Sequence, residues 1–351
     1  MKKVKRWLSL LAATAVVLAF LIVAQAVLVP KYISASPEGS LTAEYYADVA
    51  EVTHDVLFVG DCEVYETFIP AVLWEEFGVS SYVRGSPQQL TWQSYYLLED
   101  ALRYETPKVV VFNVLALKYG EPQKEAYNRM TIDGMEWSSS KVDCIDVSMT
   151  EGESFLSYVF PLLRFHSRWS ELTAEDWTYA FTETPTVSDS GYLLQTDVVP
   201  PNESASGLEG SPLADYTLPE GSMAYLDRMV DLCREKGITL VLVKAPINSW
   251  RYWWYDEWDE QVRDYANEHG LDYYNLLENE ADIGIDWQTD SYDGGIHLNV
   301  YGAAKTTTYF GSVLVEKYGL SDRRQTDEAA VRVWNQRVAT FNDKWKQNEE
   351  E

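Results

Sequence analysis

The chain has 351 residues, of which 55 are acidic and 28 are basic, so its formal net charge at pH 7 is −27. So negative a charge argues against binding nucleic acid through the phosphate backbone. An apolar content of 46% is ordinary for a folded protein, and the length suits one large domain or two small ones.

The N-terminus carries an apolar segment behind a basic flank. Four basic residues precede the uncharged residues 7–29, which are long enough to cross a hydrocarbon core about 30 Å thick. The basic flank places the N-terminus in the cytoplasm and everything after Pro30 outside. Ala24-Gln25-Ala26 also fits a signal-peptide cleavage site, but the apolar run continues to Val29. We therefore expect residues 1–30 to be a cytoplasmic stub and an uncleaved transmembrane signal-anchor of a single-pass protein of the cell membrane.

The first third of the remaining chain alternates strands and helices. Residues 31–50 are expected to form a polar connector with a short helix. Continuous apolar runs then follow, of the kind found in parallel sheets, separated by helical patterns of which the second is amphipathic. The predicted elements are strand 54–60, helix 69–78, strand 80–86, helix 90–105 and strand 108–114. This β-α-β-α-β order is typical of a three-layer α/β/α sandwich with a parallel sheet.

An insertion at residues 118–222 interrupts this pattern. It is rich in polar residues, Gly and Pro, with short helical pieces such as residues 153–172. A segment of this length within a compact domain is expected to form a cap or a binding surface. The α/β pattern then returns with helix 223–237, strand 238–246, helix 255–270, strand 271–277 and helix 301–318.

The last part of the chain shows an apolar stripe at helical spacing. Thr326 is a suitable N-cap, and we expect helix 326–345 to pack back on the preceding domain. The expected organisation is thus an α/β domain at residues 51–325 containing the insertion 118–222, followed by a C-terminal helix and acidic tail at 326–351.

The cysteines do not form a disulfide framework. Cys62, Cys144 and Cys233 are an odd and sparse set for an exported protein, so at least one thiol is unpaired within the chain. The four histidines are scattered, no cluster has zinc-ligand spacing, and the acidic run 282–295 does not match a calcium loop. We expect neither a metal nor a cofactor.

Two segments carry residues suited to acyl chemistry. Gly60-Asp61-Cys62 stands at the carboxyl end of the first strand, where sites of open α/β sheets lie, and a helix start there would favour a thiolate. Asp293-Gly-Gly-Ile-His297 lies in a glycine-rich loop that opens a late helix, and a nearby carboxylate can fix the tautomer of a histidine.

Together these segments give a family resemblance. "FVGDCEVYE" with the late "YDGGIHLNVYGAAK" resembles the SGNH/GDSL hydrolase superfamily over about residues 50–320, apart from the insertion. It is most similar to the membrane-anchored extracytoplasmic branch that includes the D-alanine-transfer protein of teichoic-acid modification and the alginate O-acetyltransferases. The resemblance implies a three-layer α/β/α fold of the SGNH/flavodoxin-like kind and acyl-ester chemistry.

The resemblance also implies roles for individual residues. Cys62 falls on the nucleophile and His297 with Asp293 on the base and its acidic partner. Three further positions fall on oxyanion or substrate-binding residues, namely Asp61, Gly85 and Asn113. The chain departs from the family in having Cys for Ser, in lacking the usual motif around Asn113, and in placing the acid four residues before the histidine instead of three. Asp290 therefore remains an alternative to Asp293.

Residues outside these motifs are candidates for substrate contact. Arg164, His166 and Arg168 form a basic cluster in the insertion, which could contact an anion or a glycan or could form ordinary ion pairs. The aromatic run 249–258 follows a strand at its carboxyl end, and Trp250 and Trp253 could stack on a sugar or simply pack.

These patterns support an extracytoplasmic acyl-ester hydrolase or O-acyltransferase that acts through Cys62, His297 and Asp293. The expected partners are the membrane and a cell-envelope glycan, polymer or acyl donor. The alternative is a non-catalytic glycan- or wall-binding module on the same scaffold. A purely structural partner in an envelope assembly, using the C-terminal helix as its contact, is a third hypothesis.

Overall fold

The fold is taken from a computed structural model of the chain. It describes residues 2–31, 39–182, 184–201, 213–248 and 254–350.

A five-stranded parallel sheet forms the centre of the α/β part. Its strands are β1 (Val56–Gly60), β2 (Ser81–Gly85), β3 (Val109–Asn113), β4 (Thr239–Lys244) and β5 (Asp272–Asn275). Every pair of neighbours is parallel, and the spatial order is β2-β1-β3-β4-β5. This is the flavodoxin-like order. Strand β2 is added on one side of β1 and strands β3 to β5 on the other, and this change of side leaves a crevice at the carboxyl ends of β1 and β3. The predicted α/β class and all five predicted strands are confirmed.

Helices cover both faces of the sheet and extend beyond it. They are α1 (Lys2–Leu28), α2 (Ser40–Glu51), α3 (Cys62–Tyr65), α4 (Pro70–Phe77), α5 (Thr91–Ala101), α6 (Glu125–Ile132), α7 (Ser139–Ser148), α8 (Phe155–Val159), α9 (Leu162–Phe165), α10 (Ala174–Thr178), α11 (Glu220–Lys236), α12 (Asp256–His269), α13 (Glu280–Ile283), α14 (Val300–Tyr318) and α15 (Glu328–Glu350).

The three layers follow from the alternation of side chains along the strands. Leu57 and Val59 of β1 point into one core, which α5, α11 and α12 cover. Val56 and Phe58 point into the opposite core, which is closed by α4 and α14. Successive strand residues face opposite sides of a sheet, so a strand with both faces covered has a continuous apolar sequence.

Helix α5 differs from its prediction in one respect. The pattern predicts an amphipathic helix, but every residue of α5 except Glu99 is buried. Helices α7 and α11 pack against it, so the side turned away from the sheet is covered as well. The insertion therefore adds a further layer to this side of the domain.

The C-terminal helix packs back on the domain, as its apolar stripe predicts. Trp334 is fully buried and stacks on Trp74 of α4 at a centroid distance of 5.6 Å. Phe341 is buried nearby against Tyr192 of the insertion.

The insertion runs along two separate parts of the molecule. Helices α9 and α10, with the 3₁₀ turn His166–Ser170 between them, contact the C-terminal end of α1. Residues 193–201 form a strap: Leu193 N donates to Tyr65 O, and Val300 N donates to Gln195 O. The strap therefore joins the loop after β1 to the loop that leads into α14.

Candidate active site

Cys62 occupies the turn at the carboxyl end of β1. It is the first residue of α3, and Asp61 caps that helix by accepting a hydrogen bond from Glu63 N at 3.2 Å. The turn is tight: a Cβ on Gly60 would lie 2.5 Å from Val64 and 2.9 Å from Asn113. Glycine at position 60 therefore lets the chain turn closely enough to present the half-buried sulfur at the sheet edge.

His297 approaches this sulfur from the loop before α14. Its Nε2 lies 3.1 Å from Cys62 Sγ, and its Nδ1 lies 2.6 Å from Asp293 Oδ2. The other oxygen of Asp293 accepts the backbone N–H of His297 at 2.8 Å and that of Ile296 at 3.2 Å. The structure thus connects a thiol, an imidazole and a carboxylate through successive hydrogen bonds. The carboxylate orients the imidazole and is itself held by backbone N–H groups of the same loop.

The two candidate acids have separate contacts. Asp290 is buried and accepts from Lys305 Nζ at 2.6 Å and from Asp286 N at 2.8 Å. Asp293 is the one brought to the imidazole. Gly294 and Gly295, both with positive φ, turn the chain between Asp293 and His297, so four residues of spacing still bring the side chains together.

A second carboxylate, which the sequence did not indicate, faces the same ring nitrogen. Glu66 Oε2 lies 3.3 Å from His297 Nδ1, and Glu66 Oε1 accepts from the Tyr292 hydroxyl at 2.7 Å. Burial raises the pKa of Glu66 to about 7, against the opposing effect of the nearby imidazolium. The ring of Tyr292 lies parallel to that of His297 at 6.0 Å, so it also limits the orientation of the imidazole.

Ionisation of the thiol differs from the expectation. Burial raises the pKa of the Cys62 thiol to about 11, and the charges of Asp61 and Glu66 add to this, so His297 offsets the shift only in part. Helix α3 has only four residues, so it offers little dipole to favour the thiolate. The resting sulfur is therefore a thiol that needs a base.

The surroundings of His297 raise the pKa of its imidazole. Burial alone would lower its pKa, but negative charge on Cys62 and Glu66 and the hydrogen bond that Nδ1 donates to Asp293 raise it well above the usual value. Asp293 remains ionised: burial opposes this, and the hydrogen bond with His297 lowers its pKa below the usual value. An imidazole held this way stabilises the positive charge that it gains when it takes a proton.

A buried polar network lies beneath the nucleophile. Asn113 Nδ2 donates to Asp61 Oδ1 at 3.1 Å and to Glu63 Oε2 at 2.9 Å, while its Oδ1 accepts from Ala245 N at 3.0 Å. The fully buried Lys244 donates to both oxygens of Glu63 at 2.9 Å. Burial, and then the charge of Glu63, raise the pKa of Asp61 to about 7.

This network bears on two of the predicted binding residues. Both amide hydrogens of Asn113 face carboxylates, and Asp61 is buried as the cap of α3. In this arrangement the two residues tie β3 to the turn that carries Cys62. An oxyanion role for Asn113 stays a prediction. It requires the side-chain amide to give up one of its hydrogen bonds to a carboxylate and to donate to the substrate oxygen instead.

Gly85 lies beside the nucleophile turn, where it ends β2 and pairs with Gly60. A Cβ at this position would lie 3.2 Å from the carbonyl oxygens of Gly60 and Asp61 and 3.3 Å from the Tyr65 ring. Its φ is not positive, so close approach explains the glycine here better than turn geometry does.

The remaining predicted contacts lie elsewhere or outside the described residues. Arg164 pairs with Glu125 of α6 at 2.5 Å, and Arg168 donates to Leu28 O at 2.6 Å and pairs with Asp176 at 3.2 Å. These contacts belong to the insertion and the end of α1. Trp250 and Trp253 fall outside the described residues.

The buried residues Glu66 and Lys244 were missed by sequence reasoning. Glu66 follows Cys62 by four residues, about one helical turn. That spacing places the two side chains on the same side of the turn and could have indicated Glu66. Lys244 ends the apolar strand β4, and a lysine closing such a run indicates a buried anion partner. Among the described residues, no group of three or more His, Cys, Asp or Glu is arranged to hold a metal ion.

Comparisons with known proteins give matches only to solved structures, at low sequence identity and low TM-score. Searches of protein-family profiles and of curated proteins found no match. Among solved structures, the chain is similar to a lipolytic protein assigned to the G-D-S-L family from Desulfitobacterium hafniense DCB-2, with 13% identity, a TM-score of 0.36, and coverage of 75% of this chain and 100% of that one. It is also similar to a protein assigned as an acylhydrolase from Bacteroides fragilis NCTC 9343, with 10% identity, a TM-score of 0.38, and coverage of 78% and 95%. Likenesses of this degree do not establish a family, and the fold class follows from the chain's own sheet.

Proposed function

We propose that the chain is an SGNH/GDSL-type acyl-ester hydrolase or O-acyltransferase with Cys62 as its nucleophile. The observation that carries the proposal is the continuous contact from Cys62 Sγ to His297 Nε2 at 3.1 Å and from His297 Nδ1 to Asp293 Oδ2 at 2.6 Å. A nucleophile, a base and an orienting acid within hydrogen-bond reach form the arrangement that covalent acyl catalysis requires.

In the first half-reaction, His297 Nε2 takes the proton of the thiol as Sγ attacks the carbonyl carbon of an ester. A carbon–sulfur bond forms, and the tetrahedral intermediate collapses with cleavage of the carbon–oxygen bond to the alcohol. The imidazolium returns its proton to the departing alcohol oxygen. The product is an acyl thioester on Cys62.

In the second half-reaction, an acceptor hydroxyl or water gives its proton to His297 and attacks the thioester. The carbon–sulfur bond breaks, and the proton returns to sulfur. A thioester reacts more readily with hydroxyl and amine acceptors than an oxygen ester does. Sulfur at this position therefore gives an acyl intermediate that is reactive toward a polymer hydroxyl or amine.

The intermediate needs donors for its oxyanion. The backbone N–H of Cys62 is at the first position of α3, where helix geometry leaves N–H groups without intrahelical acceptors. Gly85 brings the end of β2 against the same turn. Each donor of this kind contributes about 3–4 kcal/mol to acyl transfer in known cases.

The proposed location is the outer face of the cytoplasmic membrane. Helix α1 contains a stretch from Lys3 to Leu28 that is long and apolar enough to cross a bilayer, and the basic residues at its N-terminal end favour a cytoplasmic N-terminus. The site then faces the cell envelope, and its substrates are a cell-envelope glycan or polymer and an acyl donor.

Substitution of the two central residues tests the proposal. We expect Cys62→Ala and His297→Ala each to lower kcat/KM for 4-nitrophenyl acetate by roughly 10³-fold or more, because each removes a group that acts in the same step. Cys233→Ala and His269→Ala, which change the same residue types outside the site, should retain activity. Full activity in either site variant, with unchanged thermal unfolding, would contradict the mechanism and leave a binding module.

A further inference from the structure

The end of α1 is fixed to the folded domain. Arg168 Nη1 donates to Leu28 O at 2.6 Å, and Lys31 Nζ donates to Ala26 O at 2.8 Å. Val27 is buried against the domain. Cations at the C-terminal carbonyls of a helix satisfy its free acceptors and complement its dipole. The helix therefore leaves the domain in a defined direction.

The freely exposed part of α1 matches a bilayer in length. Residues 3–23 are exposed, and residues 24–31 are half-buried or buried against the domain. Residues 3–6 carry three charges, so the uncharged exposed part is residues 7–23, which span about 26 Å at 1.5 Å per residue, slightly less than a hydrocarbon core about 30 Å thick. The contact between α1 and the domain therefore begins at the outer edge of the hydrocarbon core.

Six large apolar side chains are exposed on the segment that holds this end of α1. They range from 55% exposed at Phe160 and Leu163 to 73% at Trp169. We call the six the apolar collar: Leu156, Phe160, Leu163, Trp169, Trp177 and Phe181. Outside α1, only Trp137 among the other large apolar side chains that the structure describes is also more than half exposed.

The composition of this segment suits the boundary between lipid and water. Residues 155–170 contain no Asp or Glu, whereas residues 171–181 contain Glu171, Glu175 and Asp176, of which Asp176 pairs with Arg168. Two of the six collar side chains are tryptophans, which concentrate at the level of lipid head groups because they are both apolar and polar. Exposed apolar side chains beside a spanning helix, with tryptophans among them, suit an interfacial membrane contact.

We propose that the apolar collar inserts into the outer leaflet around α1 and holds the catalytic domain in one orientation on the bilayer. The inference rests on the anchoring part of the proposed function and is independent of the chemistry at Cys62. The α1 contacts set the height of the domain, and the collar removes its freedom to tilt. The Cys62 site is then presented at a constant height above the membrane.

Depth-dependent quenching in the full chain tests this proposal. In a Cys62→Ala/Cys144→Ala/Cys233→Ala background, Trp169→Cys and Trp177→Cys are made one at a time. Each variant is labelled with bimane and reconstituted in nanodiscs of phosphatidylcholine and phosphatidylglycerol containing 5-doxyl phosphatidylcholine. Because interfacial side chains lie about 5–10 Å into the head-group and acyl boundary, we expect about two-fold or greater quenching at both positions. Glu235→Cys, at an exposed site near the end of α11, is the aqueous control and should stay unquenched.

A third label separates the two ideas. Val16→Cys, in the middle of α1, is measured with 12-doxyl phosphatidylcholine, whose nitroxide lies deeper in the bilayer, and reports on anchoring alone. Quenching at Val16 without quenching at the collar positions would overturn the collar and leave the anchor intact. Absence of quenching at all three would overturn both the anchor and the collar, without bearing on the ester-cleaving chemistry, which is measured separately with a soluble ester.

Discussion

Neutralising Glu66 tests the electrostatics that distinguish this site. Glu66 Oε2 lies 3.3 Å from His297 Nδ1, and both side chains are largely buried. At an effective dielectric constant of about 20, a full charge at that distance stabilises the imidazolium by about 5 kcal/mol. The pKa of Glu66 is itself raised to about 7, so the carboxylate carries only part of its charge near neutral pH.

The sign of the effect follows from the role of His297. A general base must be neutral, and a nearby negative charge raises its pKa, so the acid limb of kcat/KM in the wild-type protein should have its midpoint above 6.5. Glu66→Gln keeps an acceptor for Tyr292 and removes the charge. We expect the midpoint to fall by about one to two pH units, where one unit corresponds to about 1.4 kcal/mol.

The assay is the pH profile of kcat/KM for 4-nitrophenyl acetate, which reports the free enzyme. Glu75→Gln, at an exposed position on α4, is the matched control and should leave the midpoint unchanged. NMR titration gives the same pKa without turnover, because the chain has only four histidines. An unchanged or raised midpoint in Glu66→Gln would refute the assigned interaction.

Two further predictions concern the residues that hold the site. Asp293→Asn should lower kcat/KM by roughly 10²–10⁴-fold because the amide favours the wrong imidazole tautomer. Asp290→Asn should lower the melting temperature and leave kcat/KM within about threefold; equal kinetic losses in the two variants would contradict the assignment. Lys244→Met should reduce the free energy of unfolding by about 3–5 kcal/mol, since it leaves Glu63 buried without its cation. A melting temperature within about 1 °C of wild type in Lys244→Met would contradict this estimate.

The sheet could be predicted because its strands are buried on both faces. Two of the strands are continuous apolar runs, namely residues 56–59 and 109–112. Such runs, bounded by turns and separated by helical patterns, are typical of a parallel sheet in the α/β fold class. Their polar ends, at Asp61 and Asn113, could likewise be placed at one edge of the sheet, because parallel strands end together.

Contacts between distant segments could not be obtained in this way. The choice between Asp290 and Asp293 depends on how two glycines with positive φ turn the loop, and local sequence does not determine that path. The raised pKa of Cys62 is set by burial, and His297, which offsets that burial in part, comes from a loop more than 200 residues away. The contacts of Arg168 with Asp176 and with the end of α1 form only in the folded chain, so the sequence did not indicate them.

The most direct test of the central claim is mass spectrometry of the acylated protein. The full chain is mixed with 4-nitrophenyl acetate, quenched in acid and digested. If Cys62 is the nucleophile, an acetyl group is expected on the peptide that contains Cys62, removable by neutral hydroxylamine and absent from His297→Ala. Hydrolysis of the ester without acetylation of Cys62, or acetylation of Cys62 that persists undiminished in His297→Ala, would contradict this mechanism.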